Sequence, residues 1–168
     1  MDDERIDDRI ERFVERDYGR VVAAVALVCG DRSRAEDAVQ EALAKAWLQR
    51  SHIDSLTAWV TRVALNDVRS RFRRLGAERR AYDRLSAQAG QDPLTVDQQA
   101  VFDRRLLDAL AGLANRQRAA VVLHYLLDQS VDEVARTLGV HPGTVKTSLH
   151  RARAALRQAL ESEGVPNG

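Results

Sequence analysis

The chain reads as an all-α protein made of two small helical domains joined by a flexible linker, and three observations carry that reading. Its 168 residues contain only three prolines, two tryptophans, three tyrosines and three phenylalanines, a composition that leaves Ala, Leu and Arg to dominate. Apolar residues recur at helical spacing through most of both halves. Between the halves, residues 86–99 (SAQAGQDPLTVDQQ) lose that spacing and carry Gly90 and Pro93, the residues that punctuate loops. The expected organisation is a first domain over 1–85, a linker over 86–103 and a second domain over 104–164.

In chain order, Ile6, Ile10, Phe13, Val14, Val21, Val25 and Val28 predict one long first helix, which Gly30 ends. Ser33 then predicts the cap of a second helix, with Glu36 completing an S-x-x-E box. Ala35, Ala38, Val39, Ala42, Leu43, Ala46 and Trp47 form its inward side, and Asp37, Gln40, Glu41 and Lys45 a polar outward strip. A third helix begins near Leu56 and buries Trp59 or Val60, Val63, Ala64 and Val68. Beyond the linker, Leu106, Leu107, Leu110 and Leu113 mark one helix, and Asn115 is the expected cap of the next, whose Val122, Leu123, Leu126 and Leu127 face inward.

The last two helices carry the sharpest signal. Ser130 and Glu133 form a capping box ahead of Val131, Val134, Ala135 and Leu138, which lie on one stripe, and Gly139 follows where a left-handed residue is needed. Pro142 suits a first helical position, so a second helix runs from there to about Ala159. At roughly 100° per residue, Val145, Leu149, Ala152, Leu156 and Leu160 cluster inward. Thr147, His150, Arg151 and Ala154 face the opposite way, with Lys146, Arg153 and Arg157 on a flank. No acid interrupts this helix from Pro142 to Gln158. Two short helices, a glycine turn and a one-signed outer face spell a helix-turn-helix suited to the major groove of DNA, where Arg and Lys bond guanine or phosphate and Thr packs on thymine methyl.

Charge is distributed to match. The net charge is only +1, but the residues up to Asp17 hold eight acids against four arginines. From Arg62 to Arg84 there are eight arginines against Asp67, Glu78 and Asp83, with Phe72 and Tyr82 interleaved. A face of like charge repels itself unless an anion neutralises it, and nucleic acid is the usual one. The linker, at fourteen residues over 86–99, could reach roughly 45 to 50 Å when stretched, more than one ~34 Å turn of DNA. The two halves could therefore touch separate sites.

Several classes find no residues to stand on. His52, His124, His141 and His150 show no metal-ligand spacing with one another or with Cys29, and there is no phosphate-binding glycine loop and no nucleophile with an evident base. No catalytic residue, metal or cofactor is expected. Cys29, the single cysteine, reads as a buried structural thiol. The start of the chain is too charged for a signal peptide, and the run from Val21 to Cys29 is too short to insert in a membrane; a cytoplasmic protein is expected.

Taken together, DRSRAEDAVQEALAKAW (31–47), LTAWVTRVALNDVRSRFRR (56–74) and SVDEVARTLGVHPGTVKTSLHRARAAL (130–156) resemble the extracytoplasmic-function sigma factors of bacterial RNA polymerase, and the likeness covers nearly the whole chain. The resemblance implies a sigma region 2-like bundle that binds core polymerase and captures the melted minus-ten element, and a region 4-like helix-turn-helix domain that reads the minus-35 duplex. It implies that Asp37, Gln40 and Glu41 dock on the β′ clamp helices, that the β flap is a further contact, and that Asn66 helps hold a flipped non-template base. The Ser51 to Leu56 loop matches the wall of that base pocket, with Leu56 where relatives often carry an aromatic, and Arg69 and Arg73 match backbone contacts. Minus-35 contacts fall on Thr144, Lys146, Thr147, His150, Arg151 and Arg153, with Arg118 as a phosphate ligand. Partners so implied are core RNA polymerase, promoter DNA and an anti-sigma factor. The chain departs from the family pattern at Leu113-Ala114, where Leu-Pro is common, and at His141, where a Ser-like cap is common, which predicts a looser start to the recognition helix.

Two rivals stay open on the residues alone. A stand-alone helix-turn-helix regulator would bind duplex DNA without polymerase, and a protein-binding helical adaptor would bind without promoter-specific transcription.

Overall fold

The computed structural model describes residues 5–49, 53–82 and 104–162, with backbone alone at 72 and 75–82. The chain divides into two compact units, Met1–Pro93 and Leu94–Gly168. The dividing point falls within 86–103, the expected linker, which lies outside the described residues. All regular structure among the described residues is helical.

In the first unit, α1 (Ile6–Arg16) and α2 (Tyr18–Cys29) replace the single long helix that the apolar spacing predicts. The two are separated at Asp17, whose φ of −114° is wide of the helical mean although its N–H still reaches Phe13 O at 2.8 Å, and whose carboxylate accepts the Thr57 hydroxyl at 2.9 Å. The bend lets α2 run through the core with Val21, Val22, Ala24, Val25, Ala26 and Leu27 buried, while α1 contributes Phe13.

Gly30 ends α2 at φ 78°, and α3 (Arg32–Gln49) starts two residues later. Its cap is Asp31, not Ser33: the Asp31 carboxylate accepts the Arg34 N–H at 3.0 Å, and Glu36 pairs with Arg32 at 2.8 Å instead of closing a box. Aspartate reaches the first free amides sooner, because the turn at Gly30 delivers the chain there. Ala35, Ala38, Val39, Ala42 and Ala46 make a narrow inward seam, so α3 packs against both α2 and α4 (Leu56–Tyr82). Trp47, expected inside, is 44% exposed and donates its indole N–H to Asp7 at 2.8 Å. Neighbours on a helix are about 100° apart, so Ala46 and Trp47 cannot share the inward line.

Val60, Ala64, Leu65 and Val68 are the buried side of α4, with Trp59 and Val63 half-buried. Thr61 also lies in the core, its hydroxyl satisfied by Thr57 O at 2.7 Å. Cys29 is half-buried, its thiol donating to Asp31 O at 3.2 Å, and burial pushes its pKa up. A thiol held protonated is a poor nucleophile.

In the second unit, α5 (Arg104–Ala111) buries Leu107 and Leu110, with Leu113 just beyond its end. α6 (Asn115–Val121) is capped by Ala114 without a side-chain bond, so Asn115 is not the cap expected of it. It stands one residue inside, where its carboxamide oxygen accepts from Arg118 Nη2 at 2.8 Å. α6 continues into a π turn, Val122–Leu126, a widening that nothing in the apolar spacing announces. It is held by His124 Nδ1, 2.7 Å from Gln129 O, which accepts and so assigns the proton to Nδ1. Gln129 is buried, and its side-chain oxygen accepts the Thr137 hydroxyl at 3.2 Å. This chain of polar contacts ties the π turn to α7 (Val131–Leu138). α8 (Pro142–Ser162) completes the unit, three residues longer than the expected end at Ala159.

Candidate nucleic-acid and protein interfaces

The helix-turn-helix is built by its termini. Ser130 Oγ accepts the Glu133 N–H at 3.2 Å and Glu133 Oε2 accepts the Ser130 N–H at 2.7 Å, a reciprocal box that holds the Glu133 carboxyl below the usual carboxylate range, chiefly through the Ser130 backbone N–H. At the other end of α7, Gly139 takes φ 65° and Val140 N–H reaches Ala135 O at 3.0 Å, the Schellman closure that sends the chain sharply into α8. His141 precedes Pro142 and its Nδ1 accepts the Gly143 N–H at 3.1 Å. The recognition helix therefore has a side-chain cap after all: an imidazole nitrogen does what a serine hydroxyl would, and the looser start expected at His141 is corrected.

Val145, Ser148, Leu149 and Ala152 anchor α8 inward, so the opposite face is presented. Lys146, Thr147, His150, Arg151 and Arg153 are exposed and Thr144 is half-buried. Thr147 donates its hydroxyl to Gly143 O at 3.0 Å, which occupies the proton and leaves its methyl for apolar contact. Arg153 is turned to the side, donating to the exposed Tyr125 Oη at 3.3 Å on the π turn. Arg118 is half-buried and bonded to Asn115. Two residues that the sequence reading passed over, Arg116 and Gln117, line an open groove together with Thr144, Thr147 and Arg151. The dense NRQR run at 115–118 was the available signal.

In the first unit, Asp37, Gln40, Glu41 and Lys45 are all exposed on α3. Gln40 Nε2 donates to Tyr18 Oη at 3.3 Å. Glu41 is doubly engaged, Oε1 by Lys45 at 2.9 Å and Oε2 by Arg71 at 3.0 Å, and Lys45 above all holds its carboxyl below the usual range.

On α4, Asn66 and Arg73 are exposed and Arg69 is half-buried; successive 100° steps put the three within about 60° of one another. Trp59, half-buried two turns earlier, shares that face. Leu56 does not: it is 6% exposed and, with Ile53 at 5%, belongs to the core, so its side chain offers no surface to a base. Residues 51 and 52 of the loop lie outside the described residues.

A family model described as sigma-70 region 2 matches residues 13–80, and one described as sigma-70 region 4 matches residues 103–156. The chain is 36% identical over 142 residues to the ECF RNA polymerase sigma factor SigL of Mycobacterium tuberculosis, covering 81% of this chain and 80% of SigL. It is 32% identical over 154 residues to the RNA polymerase sigma-E factor of Streptomyces coelicolor, covering 89% and 85%. Among solved structures, the sigma factor RpoE in complex with the anti-sigma factor NepR from Bartonella quintana matches with a TM-score of 0.72 at 25% identity, over 92% of this chain and 97% of that one.

Proposed function

This chain belongs to the extracytoplasmic-function sigma factors, the family that directs promoter-specific initiation by bacterial RNA polymerase, and on that premise we propose how its residues divide the work. The α3 strip of Asp37, Gln40 and Glu41 docks on the β′ clamp helices of core polymerase. The α4 face bearing Asn66, Arg69 and Arg73 receives the opened non-template strand of the minus-ten element, Asn66 at a flipped base and the arginines along the backbone. Trp59 extends that face as an aromatic platform, and Leu56 supports it from inside the core.

The second unit reads the minus-35 duplex. Thr144, Lys146, Thr147, His150 and Arg151 meet base edges and nearby phosphates, and Arg116 and Arg118 approach the phosphates from α6. Arg153, engaged by Tyr125, contributes charge from the flank. The observation that carries this reading is the capped helix-turn-helix with an outward face that has no acid from Pro142 to Gln158. Such a face suits phosphate and guanine.

No bond in a substrate is made or broken by the chain in this mechanism. Binding energy alone is used: bases that transiently unpair are trapped by pocket and stacking contacts of roughly 1 to 3 kcal/mol each. The place of action is the cytoplasm, with the polymerase. An anti-sigma factor is a further proposed partner, since the matching RpoE structure is a complex with one.

Reconstitution with core polymerase tests the reading. Arg151→Ala should reduce minus-35-dependent transcription and leave core binding intact; loss of core binding instead would show that the domain roles are misassigned. Failure of the chain to bind core, with retained duplex binding, would favour a stand-alone regulator.

A further inference from the structure

Residues 53–57, which lead into α4, are fastened in four ways. Ile53 and Leu56 sink their side chains into the core. Ser55 Oγ accepts the Ala58 N–H at 3.3 Å, capping α4, and Thr57 in its first turn donates to Asp17 at the α1–α2 break at 2.9 Å. The remaining tie comes from α1: Arg9 Nη2 donates to Ile53 O, and lies 3.4 Å from Asp54 O. These carbonyls precede the first intrahelical acceptor, Ser55 O, which takes the Trp59 N–H at 3.0 Å. Helix formation therefore leaves both without a partner.

The placement of Arg9 is unusual on electrostatic grounds. A helix N-terminus favours anions, and a cation there is disfavoured. What holds the guanidinium near α4 is therefore the pair of loop carbonyls. A stretch of loop is ordinarily the mobile part of a fold, whereas Ile53 and Asp54 are set in place before any ligand arrives. Preorganisation of that kind lowers the ordering cost of binding.

We infer that Arg9 is a positioning residue of the minus-ten base pocket: from α1 it fixes the backbone at Ile53 and Asp54, so that this part of the pocket wall is formed in advance of the flipped base. This rests on the reading of α4 as the single-strand surface. Arg9 touches no base in this account; it acts through the loop. It is also the one fastening of the four that can be removed without opening the core, uncapping α4 or disturbing the α1–α2 break.

The test uses holoenzyme assembled with full-length Arg9→Ala, Arg9→Lys and Asn66→Ala chains. The probe is a single-stranded oligonucleotide carrying the non-template minus-ten sequence mapped from a start site, with each base in turn at the flipped position. Arg9→Ala should weaken oligonucleotide binding by roughly three- to tenfold, the loss of a charge-assisted hydrogen bond, and flatten discrimination at the flipped base. Arg9→Lys should fall between, since its shorter stem carries the ammonium to a different place from the Nη2 that meets both carbonyls. Core affinity and minus-35 duplex binding should be unchanged. Unaltered base discrimination in Arg9→Ala, with Asn66→Ala impaired, would overturn the positioning role alone. Parallel loss of core affinity and thermal midpoint in both Arg9 variants would also overturn it, by making Arg9 a general determinant of the fold. Intact binding by Asn66→Ala would overturn the pocket itself, and the inference with it.

Discussion

Arg71 lies between two carboxylates: its Nη2 is 3.0 Å from Glu41 Oε2 on α3, and its Nε is 2.8 Å from Asp67 Oδ2 one turn earlier on α4. The polar strip proposed to dock polymerase is thus joined to the helix proposed to receive the opened strand. Asp67, the less exposed of the two acids, orients the guanidinium, which in turn fixes one oxygen of Glu41 while Lys45 takes the other.

Glu41→Gln should therefore weaken core polymerase binding by roughly three- to tenfold, with a shallower salt dependence, as expected of a charge at an interface rim. Surface ion pairs contribute little to folding, so the thermal midpoint should stay close to that of the parent chain. Equilibrium binding to core at two ionic strengths, beside a melting curve, checks both. A large drop in melting temperature with unchanged core affinity would assign Glu41 to the fold and remove it from the docking strip.

The Ser130–Glu133 box makes a second expectation, on stability. Ser130→Ala removes the acceptor for the Glu133 N–H and should cost about 1 kcal/mol, read from chemical denaturation of the second unit's transition. The pH sign follows from the direction of the Glu133 shift. Its carboxyl titrates lower in the folded chain, so the stabilisation is fully present above the unfolded-state carboxylate range and is lost as pH falls through the depressed folded value. The stability difference between the parent chain and Glu133→Gln should accordingly be constant near neutrality and shrink on acidification. A difference that grew on acidification would contradict the assignment.

How much of this was legible in the sequence depended on whether the determinant was local. Ser130, Glu133, Gly139 and Pro142 act within a few residues, so the helix-turn-helix and its faces could be read directly, as could the outward strip of α3. Contacts made across the fold could not. Asp17, at the α1–α2 junction, meets Thr57, and the exposed Trp47 meets Asp7, forty residues away in each case. The π turn depends on the His124–Gln129–Thr137 chain. Ser33 suits a cap by sequence, but Asp31 reaches the same helix start; Leu56 suits a base contact by position, but its side chain, like that of Ile53, is buried in the core.

His141 supports a third expectation. Its Nδ1 accepts a backbone N–H at the start of the recognition helix, so His141→Ala should destabilise the second unit by about 0.5 to 1 kcal/mol, several degrees in the midpoint of a domain this small. His141→Ser and His141→Asn, which keep an acceptor, should recover most of the loss. Minus-35 binding should follow the same order, because a frayed first turn misplaces Thr144 and Thr147. Equal midpoints for Ala, Ser and Asn would mean that the imidazole contributes something other than the cap.

Asn66 separates binding from opening. It is exposed on the α4 face shared by Arg69 and Arg73, outside the core, so Asn66→Ala should fold as the parent does. If its carboxamide meets a flipped base, the variant loses a contact that exists only after strands part. Initial duplex binding by the holoenzyme should be almost unchanged, while the open complex should fall by roughly tenfold, the equivalent of about 1.4 kcal/mol and within the range of one base contact. Permanganate reactivity of unpaired thymines reads the second quantity, and mobility shift on ice the first. A parallel loss in both would place Asn66 at the duplex stage, and with it the whole α4 face, because the arginines beside it hold backbone that is charged whether or not the strands have separated.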